Sequence, residues 1–482
     1  MGFWKLDHPP TSLAVVDVHA GFEKTYGELR EDVAQSAETL ACHADKVLRV
    51  LAARNRYNNL VLYLAALSSG QPLMMVDPGL NQDLLRPLLD TYRPDHVHGN
   101  FTTDAFPGYR KIAQIAPDGW ERETKDRTPI HSSLALLLNT SGSTGSPKLV
   151  RLSRENLQSN ASSIATYLKL NPSERAITSL PMSYSYGLSV VNSHLLAGAT
   201  LVLSEHGILR SEFWDALDSF RCTSMAGVPY TYQMLLQTGL LEKRGSSLQT
   251  LTQAGGGLSE SLVRKLHELA ERRGLRFFVM YGQTEATARI SYVPAERLGE
   301  KIGSIGVPIP GGSLEIDAAT GELIYTGANV MLGYAECRED LAKGDDLNGV
   351  LRTGDLARKD KDDFFYITGR LKRFLKLFGK RFSLDEMEPI VQQRVGVPVA
   401  CFGKDDLLMI AIESQQLDPN QIAAMVCSTF SLPRPAVLVT TISALPRTSR
   451  GKLDYSALAR ITEGTAAMGK PAVQFAERTL SS

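Results

Sequence analysis

Leu134-Ala-Leu-Leu-Leu138 runs straight into Asn139-Thr-Ser-Gly-Ser-Thr-Gly-Ser-Pro-Lys148 and then into Leu149-Val-Arg-Leu152, and these nineteen positions decide how the chain is read. Each apolar run has the length of a strand, so the polar stretch between them is a loop joining two strands. Its glycines and proline deny it regular structure. Its hydroxyl side chains, exposed backbone N–H groups and Lys148 suit a polyphosphate. The spacing G-x-x-x-x-G-K-[ST] of a Walker A loop is not met. A Ser/Thr/Gly string alone is also what a flexible polar loop looks like, so its meaning rests on its surroundings.

Outward from that loop, apolar runs of strand length at 199–203 (ATLVL) and 276–281 (RFFVMY) alternate with helical segments at 154–168 and 259–272. Such alternation predicts crossover units and a largely parallel sheet, an α/β fold. Upstream, Leu29, Val33, Ala37 and Leu40 fall at helical spacing between Thr25 and Cys42, and Leu60–Leu67 (LVLYLAAL) reads as a buried core helix, too short to cross a bilayer. Near residue 311 the texture changes: GGSLEIDAATGELIYTG sets two alternating runs around a tight turn, a hairpin in a β-rich subdomain. After Gly369-Arg370 a basic segment opens about a hundred residues of mixed helix and strand. The expected organisation is a large N-terminal domain, 1–371, made of parallel-sheet subdomains plus the β-rich one, and a small α+β C-terminal domain, 372–482, ending in a loosely held tail.

The 482 residues are 43% hydrophobic and 22% charged, enough apolar chain for more than one core. Lysine plus arginine equals aspartate plus glutamate at 52 each, so no global positive field favours nucleic acid or anionic lipid. The five cysteines are scattered, without a C-x-x-C pair, which speaks against a disulfide framework or structural zinc and for a reducing cytosol. The start, MGFWKLDHPP, lacks the apolar core of an export signal, so a cytoplasmic location is expected.

Four further strings follow the loop in order: Tyr281-Gly-Gln-Thr-Glu285, Thr353-Gly-Asp355, Ile367-Thr-Gly-Arg370 and Leu445-Pro-Arg-Thr-Ser-Arg-Gly-Lys452. Together with the loop they resemble the adenylate-forming superfamily of acyl-CoA synthetases, peptide-synthetase adenylation domains and luciferases, from about Thr25 to Tyr455. The resemblance implies an enzyme that uses ATP and Mg²⁺ to join a carboxylic acid to AMP and then passes the acyl group to a thiol. In it Thr140, Ser141, Gly142, Ser143, Thr144, Gly145 and Lys148 fold over the β- and γ-phosphates. Tyr281 packs on adenine, Thr284 contacts the α-phosphate and Glu285 helps hold Mg²⁺, roles that suit an aromatic face and a hard oxygen ligand. Asp355 binds the ribose hydroxyls with Arg370 beside it. Lys452 reaches the reacting carboxylate and phosphate, a task for a compact cation on a long stem. Lys372 is the hinge about which the small, mobile C-terminal domain turns.

The acid pocket is read from Tyr184, Tyr186, Gly227, Val228, Gly255, Gly256 and Gly257. Tyr184 stands where amino-acid-activating relatives carry Asp, so it supplies no countercharge for an α-ammonium, and acids without the amine are expected. The acceptor is the phosphopantetheine thiol of coenzyme A or of an acyl carrier protein acting in trans, and the sequence does not choose between them. A non-catalytic nucleotide-binding protein is the reading from another class. Against it stand Lys148, Glu285, Asp355, Arg370 and Lys452, all present.

Overall fold

The computed structural model describes residues 2–41, 45–80, 82–99, 106–112, 119–139, 148–371, 374–377, 380–404, 406–430, 432–448, 452–455 and 457–461. Contacts divide the chain into two units, Met1–Thr353 with Ala357–Ile367, and Gly354–Leu356 with Thr368–Ser482.

The first unit is α/β. Among the described residues its larger sheet has nine strands, and the central six run parallel: Leu13–Asp17, Thr200–Leu203, Arg175–Ile177, Ser224–Gly227, Thr250–Gln253 and Arg276–Tyr281. A second sheet of eight strands has the parallel core Leu134–Asn139, Leu73–Val76, Arg49–Ala52 and His96–His98. Both sheets carry antiparallel strands at their edges around these parallel cores. The strand Leu149–Ser153 returns antiparallel beside Leu134–Asn139, because the intervening loop is too short for a parallel crossover.

Strand residues alternate between cores. Leu201 and Leu203 face one cluster and Val202 another; Leu73 and Met75 share the first cluster, while Met74 and Val76 turn to a third. The shared cluster also takes the buried faces of the helices Tyr26–Ala41, Tyr57–Ser69, Arg154–Leu168 and Ser185–Leu196, which makes it the layer between the two sheets. Strands covered on both faces explain why the sequence shows continuous apolar runs rather than alternation. The helix Arg154–Leu168 starts where its sequence says it should: Ser153 Oγ accepts from Asn156 N and the Asn156 side chain answers with Ser153 N, a reciprocal cap. The hairpin near residue 311 is Gly312–Ile316 paired antiparallel with Glu322–Gly327.

The second unit is α+β. A hairpin, Phe374–Leu377 with Lys380–Ser383, accompanies a three-stranded sheet of Val399–Lys404, Leu407–Glu413 and Val437–Ile442. The helices Leu384–Val395 and Pro419–Phe430 close a core that includes Val391, Ile410, Val426 and Val437. No helix among the described residues is long and apolar enough to cross a membrane.

Candidate active site

Three neighbouring parallel strands end side by side at Gly227, Gln253 and Tyr281. The crevice beyond the carboxyl ends of such strands is where open α/β sheets bind ligands, and Tyr184, Val228, Gly255, Tyr281 and Thr284 of the sequence-predicted residues lie at or next to these ends. Gly255 has φ +87°, and a Cβ there would lie 2.4 Å from Tyr184 Oη and 3.2 Å from Val228 Cγ1. Glycine is thus required both by conformation and by the tyrosine packed on it. Gly256 packs near the Pro229 ring, and Gly257 has nothing within 4 Å of its would-be Cβ. Gly227 backs onto Tyr232 and Thr231. Tyr186 is buried, and its hydroxyl donates to Thr252 O at 2.7 Å.

After Tyr281 the chain makes a tight fold. A Cβ at Gly282 would stand 1.9 Å from Ala288 O, so only glycine permits the return. Thr284–Ala286 form a 3₁₀ turn, and Thr287 and Ala288 take positive φ of 59° and 132°. Such backbone persists only where the surroundings over-determine it. Here Asn329 does so: its Nδ2 donates to Ala286 O and Arg289 O, both at 2.8 Å, its own carbonyl accepts from Thr287 Oγ1 at 2.6 Å, and Tyr325 Oη holds its Oδ1 at 2.7 Å. The turn presents Thr284 Oγ1 to Ser185 Oγ at 3.1 Å, at the start of the helix Ser185–Leu196. Gln283 Nε2 donates to Tyr281 Oη at 3.1 Å and to Thr353 O at 2.9 Å.

Glu285 is reached from another element. Tyr334 Oη donates to Glu285 Oε1 at 2.9 Å, and Lys148 Nζ lies 3.7 Å from the centre of the Tyr334 ring. Lys148 is also 3.9 Å from Glu336 Oε1. Antiparallel pairing of Gly333–Ala335 with the strand Leu149–Ser153 fixes this alignment, since Ala335 opposes Leu149 and Tyr334 opposes Val150. The buried Arg151 clamps the same segment through Leu332 O, Tyr334 O and Asp346. Burial, and then the charge of Glu285, push the Tyr334 phenol well above its ordinary value, so it stays a neutral donor.

Among the described residues no group of three or more His, Cys, Asp or Glu forms a metal site. Mg²⁺ commonly takes one or two carboxylates, with phosphate oxygens and water completing its shell, and the single oriented carboxylate of Glu285 fits that manner of binding.

In the second unit Arg370 Nε lies 2.9 Å from Asp355 Oδ1, and Leu371 N donates to Gly354 O at 2.8 Å. The loop that carries Lys452 is pinned at its base by Thr448 N to Lys452 O at 2.8 Å and Asp454 N to Pro446 O at 2.9 Å. Thr140, Ser141, Gly142, Ser143, Thr144, Gly145 and Lys372 lie outside the described residues.

Sequence reasoning missed Ser185 and Tyr334. Ser185 and Tyr334 act through contacts across 99 and 49 positions, for which the chain gives no local signal.

The fold is an open α/β sheet with the turn Thr284–Ala286 set just beyond its strand ends. Residues 3–335 match the AMP-binding enzyme family, and the chain belongs to it. It is 29% identical over 371 residues to an indoleacetate–CoA ligase of Aromatoleum aromaticum, covering 72% of this chain and 70% of that protein. A probable CoA ligase of Humulus lupulus, CCL9, is 26% identical over 416 residues, 80% of this chain and 77% of that one. The crystal structure of ATP-bound MatB from Rhodopseudomonas palustris superposes with a TM-score of 0.75 at 21% identity, covering 96% and 100% of the two chains, a likeness of fold.

Proposed function

We propose that the protein activates a carboxylic acid as its acyl-adenylate at the expense of ATP and transfers the acyl group to the thiol of coenzyme A. The observation that carries this is the Thr284–Glu285 turn, held between Ser185 and the Lys148–Tyr334 pair at the strand ends of a chain in the AMP-binding enzyme family. A free acid has no adequate leaving group for thiol attack. Its carboxylate oxygen therefore attacks the α-phosphorus of ATP, forming the acyl–O–P bond while the bridge to the β-phosphate breaks and pyrophosphate departs. The thiolate then attacks the acyl carbon, the C–S bond forms, and AMP leaves with the electron pair of the broken C–O bond.

The protein's share is alignment and charge stabilisation. Thr284, steadied by Ser185, is assigned to the α-phosphate, and Lys148 with the Thr140–Gly145 loop to the β- and γ-phosphates. Tyr281 offers its ring to adenine, and Asp355, oriented by Arg370, offers its carboxylate to ribose. Lys452 is assigned to the reacting carboxyl and phosphate oxygens. Mg²⁺ bound at Glu285 would neutralise triphosphate charge. Tyr184, Tyr186, Gly227, Val228 and Gly255–Gly257 are assigned to the walls around the acid, and Lys372 to a pivot between a large domain, 1–371, and a small one, 372–482.

Coenzyme A is favoured over a carrier protein because both relatives named above are CoA ligases. Scattered thiols, with Cys222, Cys337, Cys401 and Cys427 outside any disulfide, fit work in the cytoplasm. The test is a screen of acids for acid-dependent ATP–pyrophosphate exchange, followed by thioester formation with coenzyme A. Absence of exchange with aryl, short-chain, long-chain, dicarboxylic and amino acids alike refutes the proposal.

A further inference from the structure

Lys452 lies on a segment of the second unit that is tied on both sides. Ahead of it, Leu445 N donates to Glu413 Oε2 at 3.1 Å, at the end of the strand Leu407–Glu413. After it, the Tyr455 hydroxyl donates to the Glu388 carboxylate and lies 3.1 Å from both of its oxygens. Between these ties Arg447 and Leu453 pair antiparallel, beside the backbone bonds of Thr448 and Asp454. The segment also has apolar seats. Leu445 and Leu458 are buried in a small core with Ala400, Phe402 and Met409, and Leu453 and Tyr455 pack against it.

Apolar packing is non-directional and sets the depth of a chain segment more than its orientation. A hydrogen bond to a carboxylate is directional and of the strong, charge-assisted kind. Glu388 is well placed to serve as the fixed end of such a bond. It stands on the helix Leu384–Val395, and its Oε2 accepts at 2.8 Å from Cys401 N, on the edge strand Val399–Lys404. One carboxylate therefore joins the helix, the sheet edge and the chain just beyond Lys452. Tyr455 follows Lys452 by three residues. Three residues span at most about 11 Å, so movement of the tyrosine is passed to the lysine with little slack.

We infer that Glu388 and Tyr455 are positioning residues for the adenylation step: the carboxylate holds the tyrosine, and the tyrosine holds the chain so that Lys452 is presented in one orientation. This rests on the acyl-activating function proposed above and on the role assigned there to Lys452. Lysine carries its charge on a flexible four-carbon stem, so the base of that stem must be fixed by something else. A cation stabilises developing charge best when no reorganisation is needed at the moment of reaction. The Glu388–Tyr455 bond supplies that fixity from within the small unit, and both residues act through Lys452.

The experiment measures single-turnover adenylation and, separately, thioester formation from added acyl-adenylate, on the full chain and with an acid that the wild type accepts in pyrophosphate exchange. Tyr455→Phe keeps the packed ring and loses the hydroxyl. Its adenylation is expected to fall roughly ten- to a hundredfold, the scale of a small misplacement of a catalytic group, while thioester formation is unchanged. Glu388→Leu is expected to give the same split. Glu388→Gln, whose amide still accepts from Cys401 and donates to Tyr455, is expected to recover most of the rate. Added to Lys452→Ala, Tyr455→Phe is expected to cost nothing further, because no lysine is left to position. Adenylation by Tyr455→Phe at the wild-type rate, equal losses in both half-reactions, or a further loss in the Lys452→Ala background overturns the inference and leaves the acyl-activating function standing. A wild-type protein that catalyses exchange with no acid overturns both. Misfolding of Glu388→Leu does not blunt the test, since Tyr455→Phe decides by itself.

Discussion

Tyr334→Phe removes one hydroxyl from the site and almost nothing else. The ring stays beneath Lys148, so the cation–π contact at 3.7 Å survives, while the 2.9 Å hydrogen bond to Glu285 is lost. A hydrogen bond to a charged group contributes roughly 1.5–3 kcal/mol. Glu285 is half-buried, so water can replace part of the lost donor, and the lower figure, about 1.5 kcal/mol, applies. That corresponds to roughly a tenfold fall in kcat/KM for MgATP. If Glu285 holds Mg²⁺ and Tyr334 aims it, the loss is concentrated in the magnesium dependence: the half-saturating metal concentration rises, and high magnesium restores much of the rate. Initial-rate pyrophosphate exchange over a magnesium series, for wild type, Tyr334→Phe and Glu285→Gln, reads this directly. Glu285→Gln is expected to lose more, and the double variant to add little to it, since both act through one carboxylate. A Tyr334→Phe enzyme with an unchanged magnesium curve, or losses that add fully in the double variant, would refute the coupling.

Two other predictions follow from the chemistry and from burial. Lys452→Ala is expected to slow adenylation by roughly a hundred- to a thousandfold, the usual loss for one preorganised donor, while sparing thioester formation from added acyl-adenylate; Lys372→Pro is expected to show the reverse. Single-turnover measurement of each half-reaction decides, and equal losses in both steps for both variants would remove the proposed division of labour. On the acid side, His98 is buried and its pKa is pushed down to about 3, first by burial and then by Arg49 and His96. The unfolded chain binds this proton near 6.5 and the folded chain does not, so the stabilisation is present above pH 6.5 and is lost progressively towards pH 3. Melting temperature is expected to fall from pH 7 to pH 5, and the slope to flatten in His98→Leu. An unaltered slope would show that His98 is not what titrates.

The α/β class, the two-strand frame around the Thr140–Lys148 loop, the helix at 154–168 and the hairpin near Gly312 were all legible in the chain. Each depends on neighbours a few positions apart: an apolar run, a helical spacing, a tight turn. The motif strings were legible for the same reason, being contiguous. Antiparallel edges were not, because strand direction depends on which partner a strand meets. Nor could the chain say that Tyr334 would stand between Lys148 and Glu285, an arrangement set by the pairing of Gly333–Ala335 with Leu149–Ser153. Tyr334 shows the division most plainly: its burial and its bond to Glu285 come from the strands packed around it, because desolvation and hydrogen-bond partners are properties of everything that surrounds a group and not of its place in the chain.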